Sequence, residues 1–84
     1  MMKVGDFVKV IWPGHCYSRY ESWIDRYNLQ SRWANGVCPE KGTIGEIIFI
    51  APHSLDGGEM LYAVEIDDWV YVMGIKGINY FHSI

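Results

Sequence analysis

Apolar and polar positions alternate in short runs along most of the chain, and each run is bounded by glycine, proline or aspartate. From Gly5 the sequence reads Asp-Phe-Val-Lys-Val-Ile-Trp, where Phe7, Val8, Val10 and Ile11 mark a half-buried strand that Pro13-Gly14 stops. Gly42 to Ile50 is rich in β-branched residues and ends at Ala51-Pro52, and Gly45 within it suggests a bulge or a sharp bend. Ser-Leu-Asp-Gly-Gly-Glu at 54–59 supplies the positive φ angles a hairpin loop requires. A third strand follows at 60–67, Asp67-Asp68 turns into a fourth at 69–73, and Gly74 and Gly77 punctuate the link to a last strand or single helical turn at 78–82. With the first two at 5–12 and 42–50, five short strands without internal repeat predict a small closed barrel.

The stretch between the first two strands has a different period. Tyr17, Tyr20, Ile24 and Tyr27 recur at three- and four-residue spacing, with Arg19, Ser22, Asp25 and Arg26 largely on the other side. This pattern predicts an amphipathic helix over about 17–32, ended by Asn35-Gly36, within an insertion at about 15–36. Aromatic residues are mediocre helix formers, so the helix must be held by packing. Its aromatic stripe is expected to cap an open end or face of the barrel, with Tyr20, Ile24 and Tyr27 turned inward and Trp23 partly exposed beside Arg19 and Arg26.

At 84 residues the chain is a single domain, 1–84, that buries only about 60–65% of its unfolded surface, so its core must be dense in large side chains. Half of the residues are hydrophobic and 15% aromatic, which meets that need and excludes disorder. No apolar run approaches the roughly 18 residues of a membrane-spanning helix, and the amino end MMKVGDFV lacks a signal-peptide layout; a cytoplasmic protein is expected. Free buried thiols at Cys16 and Cys38 are expected with it, a single disulfide being the alternative. A net charge of −3 repels phosphate backbones, which disfavours nucleic acid as a partner.

Val-Gly-Asp-Phe-Val-Lys-Val, followed by Lys-Gly-Thr-Ile-Gly-Glu-Ile and then Tyr-Ala-Val-Glu-Ile, resembles the Src-homology-3-like small barrels, and most closely their KOW type. Lys41, Gly42, Gly45 and Ile47 match the second half of the KOW pattern, while the insertion between Gly14 and Lys41 departs from it. The glycine pattern, with Gly14-His15, is also similar to the barrel of the nitrile hydratase β subunit. The resemblance implies a mainly β fold, a five-stranded Src-homology-3-like barrel with one helix inserted between strands 1 and 2. It implies little about activity.

Reactive constellations are absent from the pattern. His15, Cys16, Cys38, His53 and His82 include neither Cys-x-x-Cys nor a His pair at helical spacing, so no metal site and no cofactor are expected. His15-Cys16 are adjacent and point apart, Glu65, Asp67 and Asp68 lie on or beside a hairpin turn, and Gly57-Gly58 lead into a strand rather than a helix. No catalytic residue, and no enzyme, is expected. Aromatics exceed what the core needs, and exposed rings rimmed by charge are typical of partner-binding faces. The leading expectation is a non-catalytic module that contacts a protein or peptide through the inserted helix and through Trp23, Arg19, Arg26, Trp33 and Trp69. The alternative is a KOW-type nucleic-acid-associated barrel, with Lys3, Lys9, Arg19, Arg26, Arg32 and Lys41 on phosphate. A third is an accessory partner of a metalloenzyme.

Overall fold

A computed structural model of the chain describes residues 2–12, 20–34 and 37–81. Five strands, β1 (Phe7–Val10), β2 (Ile44–Ser54), β3 (Gly57–Ile66), β4 (Trp69–Gly74) and β5 (Ile78–Tyr80), form one antiparallel sheet in the order β4-β3-β2-β1-β5. Between β1 and β2 lie the helix α1 (Glu21–Arg26) and a 3₁₀ turn, Gln30–Arg32. The five strands and the inserted helix thus stand where the hydrophobic pattern put them.

The connection between β4 and β5 decides the shape of the sheet. In a flat sheet the first and fifth strands lie four spacings of about 4.8 Å apart, near 19 Å. Only the single 3₁₀ turn Ile75–Gly77 joins Gly74 to Ile78, and four Cα steps span at most about 14 Å even when extended. The sheet must therefore curl until its two edges approach. The inner core reflects this: Val8 and Val10 of β1, Ile47 of β2, Tyr62, Val64 and Ile66 of β3, Met73 of β4 and Ile78 of β5 pack as one cluster.

The sheet is nevertheless not closed, and the expected barrel is corrected in that respect. β4 and β5 are its two edges, and neither is left bare. The Ala34 N–H donates to the outward carbonyl of Val70 at 2.9 Å, occupying the position a closing strand would need. On β5 the side-chain carbonyl of Asn79 accepts from the Tyr80 N–H at 3.0 Å, a local way of blunting an edge.

Gly45 is not a corner. It lies in the regular ladder opposite Val8, and a Cβ there would come within 2.6 Å of the Val64 and Ile66 Cγ1 atoms and 2.7 Å of the Glu65 carbonyl oxygen. Its role is close approach of β3 to the β2 backbone. The register shifts of β2 fall instead between Ile47 and Phe49 and between Pro52 and Ser54. β2 also runs past Pro52, beyond its expected end at Ile50. Its pairing with β1 stops at Glu46, so among the described residues the farther half borders no strand on that side, and a missing N–H is tolerated there.

The helix is shorter than the expected 17–32. Asn28 adopts φ 58°, its N–H donates to the Asp25 carbonyl at 3.3 Å, and the Leu29 N–H donates to that of Ile24 at 3.0 Å. This is a Schellman cap with asparagine in the left-handed position, closed by Leu29 and Ile24 in one apolar cluster. Asn28 stops the helix seven residues before Asn35.

Two substitutions check these assignments by denaturant unfolding. Gly45→Val is expected to cost about 1–3 kcal/mol through overpacking against β3. Asn28→Gly is expected to leave stability within a few tenths of a kcal/mol, whereas Asn28→Val costs about 1–2 kcal/mol because a β-branched residue resists positive φ.

Candidate binding groove

Along β4 the side chains alternate between the two faces of the sheet. Val70 and Val72 are buried on the outer face with Leu61, Ala63, Ala51 and the insertion, and Trp69, Tyr71 and Met73 project from the inner one. Cover on the inner face thins along the strand: Met73 is 2% exposed, Tyr71 is half-buried, and Trp69 is 52% exposed. Beyond the strand edge, Trp33 bridges Val70 in parallel. Trp33, Ala34, Val37, Trp69 and Tyr71 together line an open groove of about 460 Å³. A narrow cleft among Tyr20, Trp33, Pro39, Tyr71 and Val72 continues from it.

Three features fix the wall that faces β4. The Ala34–Val70 hydrogen bond holds the backbone, and the Arg32 guanidinium pairs with the Glu65 carboxylate of β3. Cys38, between the groove residue Val37 and the buried Pro39, is disulfide-bonded. That corrects the expectation of free thiols at this position; the chain's other cysteine, Cys16, lies outside the described residues. The Asp67-Asp68 turn immediately precedes the groove residue Trp69, and both of its residues adopt positive φ (50° and 71°), the geometry of a two-residue type I′ hairpin. Both aspartates are exposed.

The expected contact residues divide. Trp33 and Trp69 share the groove. Arg26 is on α1, with its guanidinium 3.5 Å from the His53 carbonyl and 5.7 Å from the Tyr27 ring. Arg19 lies outside the described residues. Trp23, expected to be partly exposed, is 1% exposed. Its indole N–H donates to the Pro52 carbonyl at 3.1 Å, and its ring meets Tyr27 and Phe49 edge-on. The expectation failed because α1 lies flat on the outer sheet face instead of across a barrel end. Tyr20, Trp23 and Ile24 are all covered, and Tyr27 is the half-buried one. The register shift at Pro52–Ser54 is where carbonyls are free to receive Trp23 and Arg26.

Tyr71 and Val37 complete the groove without having been singled out as contacts. Period-two spacing from Trp69 could have found Tyr71; nothing in the sequence distinguishes Val37. Exposed Phe7 of β1 and Ile44 of β2 lie beside Glu46 and Lys9, their partners in the ladder. Of the basic residues proposed for phosphate, Lys3 pairs with Asp6 at 3.3 Å and Arg32 with Glu65. The Lys3 backbone N–H, at 2.9 Å from the Asp6 carboxylate, is the main cause that holds Asp6 below the usual carboxylate range.

Of the soft ligand candidates, His15, Cys16 and His82 are outside the described residues, while His53 meets the Tyr20 ring edge-on. Among the described residues no group of three or more His, Cys, Asp or Glu side chains is placed to hold a metal ion, and no helix is long and apolar enough to cross a membrane. Comparison with protein-family models, with curated proteins and with solved structures finds no match to this chain.

Burial reverses the ranking of two α1 rings. Trp23→Ala is expected to cost about 3–5 kcal/mol and half-buried Tyr27→Ala less, in thermal or denaturant melts of the two variants. Reducing the disulfide, or Cys38→Ser, is expected to lower stability by about 2–4 kcal/mol, read as a fall in thermal midpoint with and without reductant.

Proposed function

We propose that the protein is a non-catalytic binding module that contacts a protein or peptide partner through the aromatic groove on β4. The observation that carries this reading is Trp69: a tryptophan more than half exposed, beside Trp33 and Tyr71 in one concavity. Large rings in a partly covered pocket are the usual anchors of binding energy. The contact role expected of Trp23 passes to Tyr71 and Val37, because a ring enclosed between α1 and β2 cannot meet a partner. Arg26 is exposed on the outer side of α1 and stands as a peripheral contact.

Charge supports a protein over a nucleic-acid partner. The net charge is −3, two of the six basic residues that would meet phosphate are already paired with carboxylates, and the turn beside the groove is doubly acidic. A KOW-type role on nucleic acid is tested by gel-shift titration. Complex formation with single-stranded RNA or DNA at about 50 mM salt, where counterion release favours it most, would replace the proposal.

The direct test is site-specific photocrosslinking in the native cell from position 69. Protein adducts that disappear when Trp33→Ala is combined with the photoprobe support the groove, and adducts to nucleic acid alone contradict it. With a partner in hand, Trp69→Ala is expected to weaken binding about tenfold or more while costing less than about 1 kcal/mol in stability.

A further inference from the structure

Three of the five side chains that line the open groove are aromatic, Trp33, Trp69 and Tyr71. Trp69 is more than half exposed and the other two are half-buried. Among the described residues no cation and no second ring stacks on any of the three, whereas on the insertion Arg26 is seated 5.7 Å from the centre of the Tyr27 ring, which also meets Trp23 and Phe49. The face of an aromatic ring carries partial negative charge, so a concavity walled by such rings draws cations as well as apolar groups.

The formal charges next to the groove have the same sign. Asp68 and Asp67 are one and two residues before Trp69, so their Cα atoms lie within about 7.6 Å of its own, inside the roughly 10 Å screening length at 0.1 M salt. Both are exposed, and the ion pairs among the described residues leave both of them out. On the opposite wall the Arg32 guanidinium is already neutralised by Glu65, and Glu40 and Lys41, beyond Pro39, offset each other. The two aspartates are the unbalanced charge.

We propose, on the basis of the binding function argued above, that the groove selects an arginine side chain of the partner, its guanidinium lying against the exposed rings and its charge held by the Asp67-Asp68 turn. Arginine fits better than lysine because the guanidinium is planar, weakly hydrated and able to stack on a ring while its edge still donates to carboxylates. An ammonium is a strongly hydrated point charge, and this groove is open to the water that would have to be stripped from it. The contact is between side chains, so it requires only the exposed rings and no unpaired strand edge. Asp67→Asn and Asp68→Asn remove the charge and keep a residue type at ease with positive φ, and Trp69→Leu removes the principal ring from an exposed position.

The experiment is a ¹H–¹⁵N titration of the intact, disulfide-bonded protein with the capped peptide acetyl-Gly-Ser-Arg-Ser-Gly-amide, and with the same peptide carrying citrulline, Lys or Glu in place of Arg. Citrulline keeps the planar shape and loses the charge. The Arg peptide is expected to shift the Trp33 and Trp69 indole N–H signals and to leave that of Trp23, buried under α1, in place. Its affinity is expected to be about fivefold above the citrulline peptide, with Lys between them and Glu weakest. The double Asn variant should lower Arg affinity about threefold and leave citrulline unchanged, with a thermal midpoint near that of the parent; Trp69→Leu should weaken both. Equal affinity for Arg, citrulline and Glu, with the groove indoles moving in each case, would overturn the proposal while leaving the binding-module function standing. Lys bound as tightly as Arg would overturn the choice of a guanidinium. No indole shift at about 10 mM peptide would also overturn the proposal, and the binding function would then stand or fall with the crosslinks from position 69. Movement of the Trp69 indole with protein concentration alone would make a second copy the occupant and overturn it as well.

Discussion

The short link between β4 and β5 is the constraint on which the rest of the structure depends. One 3₁₀ turn, Ile75–Gly77, must join the two outermost strands of a five-stranded sheet, and no flat sheet allows it. Curling puts Val8, Val64, Met73 and Ile78 into one interior. The turn is tight because Gly77 is buried against the chain following β1: its carbonyl accepts from the Ile11 and Trp12 N–H groups at 2.9 and 3.2 Å, and any Cβ on Gly77 would collide with the Trp12 carbonyl oxygen. Curling also creates a problem. The outer face of β2–β3–β4 carries Ala51, Leu61, Ala63, Val70 and Val72, an apolar patch that a domain of this size cannot leave in water.

The insertion between β1 and β2 answers that problem. Tyr20, Trp23 and Ile24 cover the patch, and the fixing points are specific: the Trp23 indole on the Pro52 carbonyl, the Schellman cap at Asn28, the Arg32–Glu65 pair and the Ala34–Val70 bond. The second core is therefore assembled from the insertion and the sheet together, and an isolated helix of six residues would not form without it. Beyond Ala34 the Val37 N–H donates to the Ala34 carbonyl at 3.2 Å, which places Val37 with Trp33 and Ala34 across from Trp69 and Tyr71. The groove lies between that segment and the exposed start of β4.

Strand positions were legible because each is bracketed by a turn signal with a mechanism. Gly57 and Gly58 take the positive φ foreseen for them, and the Asp67-Asp68 pair turns as a hairpin. What could not be read depended on contacts between distant segments. Pro52 looks like a strand terminator until β2 is seen to outrun β1. Gly45 fits a bulge or a close approach equally well in one dimension, and only the position of Val64 and Ile66 decides. Two cysteines allow a single intrachain pairing, and the sequence does not show whether they come close enough to form it. Trp23 belongs to the helical stripe whatever surface the stripe meets, so its burial turned on whether α1 covered an end or a face. Two of the five groove residues were legible, since Trp33 and Trp69 stand out by type, whereas Val37 acquires meaning only through its place opposite β4.

The central claim is that the insertion is a fixed part of the core, and that Trp23 holds it there. Hydrogen–deuterium exchange of the Trp23 indole N–H tests this most directly, because that proton sits in a single bond to the Pro52 carbonyl under a closed apolar layer. The account predicts exchange as slow as that of the central amides of β3, occurring only through opening of the whole domain. Exchange at the rate of a free indole, with the β3 amides still protected, would contradict it.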